Sequence, residues 1–210
     1  MDKKKLYIVG AGSVGAHLAL NLEEYSERYK VEGFFDDDPQ KIGAELYGSQ
    51  VIGPVSDVLK MKGEAIVIGI AFPDIKRRIG DIITANTTLV FPSFVHKNAW
   101  VSKEISLGMG CLVYPGTAIN YGCKINDFVC INMNCSLGHH TEVGRYTSFA
   151  PGVNTGGHTA IKEGVELGIG SSTVQDITIG AGSTVGGQSM VITDVRNYTT
   201  VAGIPAKVIS

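Results

Sequence analysis

The stretch Ile119-Asn120-Tyr121-Gly122-Cys123-Lys124-Ile125-Asn126-Asp127-Phe128-Val129-Cys130-Ile131-Asn132-Met133-Asn134-Cys135-Ser136-Leu137 places a large aliphatic residue at every sixth position. Extended outward, the register runs from Val95 through Val101, Leu107 and Val113 to Val143, Phe149, Ile161, Leu167, Ile179, Val185 and Val191. Only Thr155 and Thr173 interrupt its apolar character, and no insertion shifts it. Four places further into each hexad stands a small or β-branched residue, as at Cys111, Thr117, Cys123, Val129, Cys135, Thr141 and Thr147. A helix repeats every 3.6 residues and a strand every 2, so neither explains this pattern. A hexapeptide repeat does.

Such a repeat implies a parallel β-helix. Each hexad supplies one short strand and one turn, and three hexads close a coil of about 18 residues at an inter-strand spacing of about 4.8 Å. The aliphatic points inward and the small residue fills the corner. Glycine recurs directly after the aliphatic (Gly108, Gly138, Gly144, Gly168, Gly180, Gly186). The expectation there is a tight turn with unusual backbone angles.

Working toward the N-terminus, Lys3 to Val9 reads as a strand, followed at once by Gly10-Ala11-Gly12-Ser13-Val14-Gly15. An amphipathic helix through Leu18, Leu22 and Tyr25 comes next, then a strand from Val31 to Phe35 ending in Asp36-Asp37-Asp38. This is Gly-x-Gly-x-x-Gly between strand and helix, with an acid about 20 residues on, which is the context of a dinucleotide fingerprint. A third strand (Glu64 to Ile70), a helix (Asp74 to Ala85) and a strand around Thr88 to Phe91 complete residues 1–92. That is half a doubly wound fold with no hydride-transfer domain behind it. The fingerprint therefore reads as a cradle for the diphosphate of a nucleotide-linked substrate, with Gly10, Gly12, Ser13 and Gly15 near phosphate. Asp36 and Asp37 then fall near ribose or base. The domains are expected at 1–92 (Rossmann-like) and 93–210 (β-helix).

The net charge of −2 and 18% charged residues advertise neither nucleic acid nor a membrane. No signal peptide or long apolar run is evident, so a soluble cytoplasmic protein is expected. The four cysteines form no Cys-x-x-Cys pair, and Cys111, Cys123 and Cys135 sit at inward positions, which implies core thiols. No metal is expected.

The two halves together resemble the sugar O-/N-acyltransferase family, which includes nucleotide-amino-sugar N-acetyltransferases and sialic acid O-acetyltransferase-like proteins. The resemblance rests on Tyr7-Ile8-Val9-Gly10-Ala11-Gly12, Gly33-Phe34-Phe35-Asp36-Asp37-Asp38, the hexads, and Val201-Ala202-Gly203-Ile204-Pro205-Ala206-Lys207. It implies a left-handed coil, acetyl-CoA as co-substrate and a homotrimer. Within Asn132-Met133-Asn134-Cys135-Ser136-Leu137-Gly138-His139-His140, it implies His139 as general base and Asn132 as an active-site asparagine. The N–H of Gly157 is implied to hold the acetyl carbonyl. Gly168, Gly186, Gly187 and Lys207 are implied along the coenzyme. The chain departs from the family where His140 replaces the usual acid after the histidine, where Ser148 replaces a second histidine, and where Ser13-Val14 replaces Gly-His. Glu142 is a candidate to stand in for the missing acid.

The 18-residue arithmetic independently stacks Gly157 on His139 and His158 on His140. Direct acetyl transfer to the amine or hydroxyl of a nucleotide-linked sugar is the expected activity. The alternatives are a nucleotide- or CoA-binding sensor without catalysis, a sialic acid O-acetyltransferase and an NAD-linked oxidoreductase.

Overall fold

The computed structural model describes residues 2–210, which divide into two units. One comprises Met1–Ala71 with Ile75–Phe94, the other Val95–Ser210 with Phe72–Asp74. In the first unit, β1 (Lys4–Val9), β2 (Tyr29–Phe35), β3 (Glu45–Leu46), β4 (Ser49–Gly53) and β5 (Ala65–Ile68) form one sheet in the order β3-β4-β2-β1-β5. All neighbours pair in parallel except β3 with β4. β1 lies between β2 and β5, and its Leu6, Ile8 and Val9 are fully buried. A strand covered on both faces reads as the continuous apolar run seen here.

The helix after the glycine loop, α1 (Ser13–Leu20), is shorter than expected. A 3₁₀ turn over Leu22–Glu24 carries the chain past Leu22 instead. The second helix, α2, spans Pro73–Ile83. The expected strand near Thr88–Phe91 is reduced to one bridge, Val90 to Ala65. The β3–β4 hairpin, turned at Tyr47-Gly48, and a 3₁₀ helix at Val55–Lys60 had no clear signal in the sequence.

In the second unit, each hexad contributes a two-residue strand that pairs in parallel with the strand 18 residues away. Ile119 meets Val101 and Leu137, Ile125 meets Leu107 and Val143, and Ile131 meets Val113 and Phe149. Every third strand thus shares a sheet, and three sheets result, parallel except where Thr200–Gly203 pairs antiparallel with Ala206–Val208 at the end of one. The aliphatics of the register and the small residues at the corners form one buried cluster from Cys111 to Val201. Where threonine interrupts the register, its hydroxyl finds partners inside: Thr155 with Thr141 and Thr173 with Thr159, each at 3.2 Å. A buried hydroxyl left unpaired costs about 1–3 kcal/mol, so these pairs keep the interruption inexpensive.

The turns correct the sequence reading of the glycines. Left-handed backbone falls three places after the aliphatic, at every sixth residue from Glu104 to Gln188, with φ between +55 and +74. Glycine fills many of these positions, but Phe128, Asn134, His140, Tyr146, His158 and Asp176 fill others. The glycines directly after the aliphatic have ordinary φ. They are there because the next rung passes too close: a Cβ on Gly144 would lie 2.4 Å from the amide nitrogen of Glu163, and one on Gly138 2.5 Å from that of Gly157.

Candidate active site

His139 and Gly157 stand in one outward column, one rung apart. The imidazole lies against the glycine so closely that a Cβ on Gly157 would come within 2.7 Å of Cε1 and 2.8 Å of Nε2. On the other side, the Tyr121 ring stacks on His139 at 5.6 Å and 15°. Tyr121 precedes His139 by 18 residues, so the same arithmetic that finds Gly157 would have found it. His139 is half-buried between these neighbours.

Some position-three amides of the hexads donate to a side chain on the next rung. The amide of Met109 donates to Asp127 Oδ1 at 3.1 Å, and that of Ala181 to Asn197 Oδ1 at 2.9 Å. For Gly157 no such acceptor exists among the described residues. Its carbonyl accepts the Asp176 amide at 3.0 Å, and its own N–H makes no hydrogen bond among the described residues. An imidazole beside an amide without a hydrogen bond is an arrangement that can serve proton removal and oxyanion stabilisation together.

His140 occupies the position of the missing acid and takes over part of its contact. Its Nδ1 lies 3.1 Å from Nδ1 of His139, so one imidazole orients the other. Glu142 does not stand in: it is held by Lys124 at 2.8 Å, and that hydrogen bond depresses its carboxyl below the usual range. His140 is in turn stacked on His158, with centroids 4.8 Å apart and the rings parallel within 1°. Asn132 is not hydrogen-bonded to His139. Its Oδ1 accepts the Met133 amide at 2.8 Å within the preceding turn.

The four cysteines are buried and free. Burial pushes the Cys135 thiol up to about 11 and also raises that of Cys123, whose Sγ donates to the Gly138 carbonyl at 3.2 Å. At the far end of the coil, Arg196 and Lys207 border a concavity of about 380 Å³ with Val191, Val195 and Val201. Gly168 and Gly186 have a packing reason of their own, since a Cβ on either would meet Gly187 or Ala202 at under 3 Å. A Cβ on Gly187 would approach only the backbone of Ile169, at 3.2 Å.

In the first unit, Gly10 adopts φ +99, and a Cβ on Gly15 would sit 2.0 Å from the Gly10 carbonyl oxygen. These two glycines let α1 start hard against β1. Gly12 has open space where a Cβ would go, and Ser13 beside it is exposed. Asp36 clamps this loop. Oδ2 accepts the Ala11 amide at 2.8 Å and pairs with Lys41 at 3.1 Å, and Oδ1 accepts the Asp38 amide at 3.0 Å. Burial opposes ionisation of Asp36, but the backbone donors and Lys41 outweigh it and its carboxyl is depressed. Asp37 accepts the Val55 amide at 2.9 Å. Both carboxylates are thus committed to their own loops.

No protein-family model matches the chain. The redox-sensing transcriptional repressor Rex of Caldicellulosiruptor bescii is 30% identical over 103 residues, 48% of this chain and 48% of that protein. The chain therefore spans about half the length of the curated relative it matches. Among solved structures, the acetyltransferase domain of PglB from Neisseria gonorrhoeae FA1090 is 27% identical, with a TM-score of 0.88, covering 99% of this chain and 100% of that one. The same domain in complex with acetyl coenzyme A gives a TM-score of 0.87. The chain resembles the hexapeptide-repeat sugar acyltransferases. PerB from Caulobacter crescentus, solved with CoA and GDP-perosamine, shares the fold at a TM-score of 0.87 and 23% identity, over 98% of this chain and 97% of that one. Among the described residues, no helix of this acyltransferase-like chain is long and apolar enough to cross a membrane.

Proposed function

We propose that the chain is an acetyl-CoA-dependent sugar acetyltransferase, with a left-handed coil, acting on the amine of a nucleotide-linked sugar. The observation that carries this reading is the imidazole of His139 packed on Gly157, whose amide has no acceptor among the described residues. The full-length likeness to an acetyltransferase domain that binds acetyl coenzyme A supports the choice of donor.

In the proposed step the sugar amine attacks the thioester carbonyl and forms the new C–N bond. His139 takes the amine proton at Nε2 while His140 holds Nδ1, and the Gly157 N–H receives the charge developing on oxygen. The C–S bond then breaks and CoA leaves as the thiol, with the proton that His139 collected. General-base help of this kind contributes about 10²–10⁴-fold. In the first unit, the open face at Gly12 and Ser13 takes the diphosphate of the substrate. Asp36 holds the loop in shape. The coenzyme is assigned to the coil, with Arg196 and Lys207 as cations for its phosphates and Gly187 as the approachable glycine. A homotrimer is part of the same reading.

Transfer from acetyl-CoA to UDP-, GDP- and dTDP-linked amino sugars, followed by thiol release, tests the proposal. Near-full activity in His139→Ala would sink it. The half-length likeness to a redox-sensing repressor favours one second reading, a nucleotide sensor. Calorimetry showing dinucleotide binding with no acetyl-CoA binding would select it.

A further inference from the structure

We propose that His139, His140 and His158 form a site for one borderline divalent cation of the zinc, nickel or copper class, and that its occupancy silences the base. The regulatory half of this inference rests on the acetyltransferase reading above; the metal site does not. The three imidazoles offer ligand atoms that all lie within 4.8 Å of one another. Two of them are already at chelating distance. Nδ1 of His139 and Nδ1 of His140 are 3.1 Å apart, and at zinc–nitrogen bonds of about 2.0–2.1 Å that separation subtends about 100°, close to tetrahedral. His158 is exposed and stacked on His140, so rotation about its side-chain torsions brings a ring nitrogen onto the same ion. Three imidazoles with a fourth position open to water suit this class of cation, and the absence of oxygen ligands disfavours magnesium and calcium.

The backbone makes this cluster persistent. His140 and His158 occupy left-handed turn positions on successive rungs, φ +58 and +55, and are tied to the neighbouring rungs by their amides, His140 to Tyr121 O and His158 to His139 O. The column therefore holds the rings one rung apart whether or not an ion is bound.

The coupling to catalysis is a matter of where one proton sits. In the metal-free pair, a proton lies between the two Nδ1 atoms; when His139 carries it, Nε2 of His139 is a free base. A cation bound to both Nδ1 atoms displaces that proton, and His139 must carry it on Nε2 instead. No proton is gained or lost by the pair. The outward nitrogen of His139 changes from acceptor to donor, and it can no longer take a proton from an amine.

The test uses the untagged full chain. Cobalt(II) absorption and zinc calorimetry read the metal directly, on the wild type and on His158→Asn, since asparagine tolerates left-handed backbone. The expected result is one ion per chain and affinity at least about tenfold weaker in the variant. Zinc should inhibit wild-type transfer over the same concentration range in which it binds. Measured against its own zinc-free rate, His158→Asn should need at least about tenfold more zinc for inhibition. Equal affinity in the two proteins, or no binding at millimolar cobalt, overturns the site. Histidine-dependent binding that leaves wild-type transfer untouched overturns the silencing. Because the metal is read by spectrum and the base by transfer, a failure of the acetyltransferase reading shows separately, as wild type inactive with every sugar while cobalt still binds.

Discussion

The imidazole of His139 rests on the bare α-carbon of Gly157, one rung on, at a distance that leaves no room for a methyl group. Gly157→Ala should therefore displace the ring while leaving the coil intact. A misplacement approaching 1 Å costs on the order of 100-fold in rate. Turnover with acetyl-CoA should fall by about that much, with an unchanged far-ultraviolet circular dichroism spectrum. Retained turnover would mean that the ring is not the base.

Tyr121 holds the opposite face of the same imidazole by stacking. Aromatic pairs contribute about 0.5–1.5 kcal/mol beyond their buried area, which corresponds to roughly 2- to 10-fold in rate if the contact positions the base. Tyr121→Ala should lower kcat by that factor, and Tyr121→Phe should restore it because the ring and not the hydroxyl makes the contact. A phenylalanine variant as impaired as alanine would assign the role to the hydroxyl.

The depressed carboxyl of Asp36 makes the first unit sensitive to acid. A group whose folded value lies below its unfolded one stabilises the fold fully above the unfolded value, here the ordinary 3.8, and loses that contribution as pH falls through the folded value. Asp36→Asn should thus melt below wild type at neutral pH, by an amount that is constant above about pH 5. The gap should close as pH falls below 3.8. A gap that is the same at pH 7 and pH 3, followed by differential scanning calorimetry, would remove the clamp from the account.

Burial raises the Cys135 thiol to about 11, and its three fellow cysteines are buried as well. Only a thiolate reacts with iodoacetamide. Native protein at pH 8 should remain unlabelled over hours, and all four cysteines should label in guanidinium chloride. Rapid native labelling, read by mass spectrometry, would show that the coil opens locally.

The period carried most of the second unit into view, because one inward aliphatic per hexad is a core requirement that no turn or surface residue can imitate. The same period located the His139–Gly157 pair, since a rung spacing is also a contact spacing. It did not tell which turn residue takes left-handed backbone. Glycine marks two different needs here, a close rung after Leu137 and a positive φ at Gly152, and the letter is the same for both. Glu142 could not be judged from its position, because its salt bridge to Lys124 depends on two side chains from different rungs. In the first unit, Leu22 continued the helical spacing, yet the helix gave way to a 3₁₀ turn just before it. The β3–β4 hairpin includes a strand of only two residues, too short to show a period at all.

Because the hexad strands from Phe94–Val95 to Met190–Val191 pair with the strand 18 residues away, this part of the chain counts in whole rungs. Lengthening the coil beyond Gly157 by one full circuit would keep every downstream face in phase, as adding a complete step keeps a spiral stair aligned. Six extra residues inserted between His139 and Gly157 would keep every aliphatic inside and yet carry the glycine to the adjacent face. The core would not register the change, and the His139–Gly157 pair would be taken apart. Fold and chemistry therefore answer to different units of length, the hexad for one and the full circuit for the other.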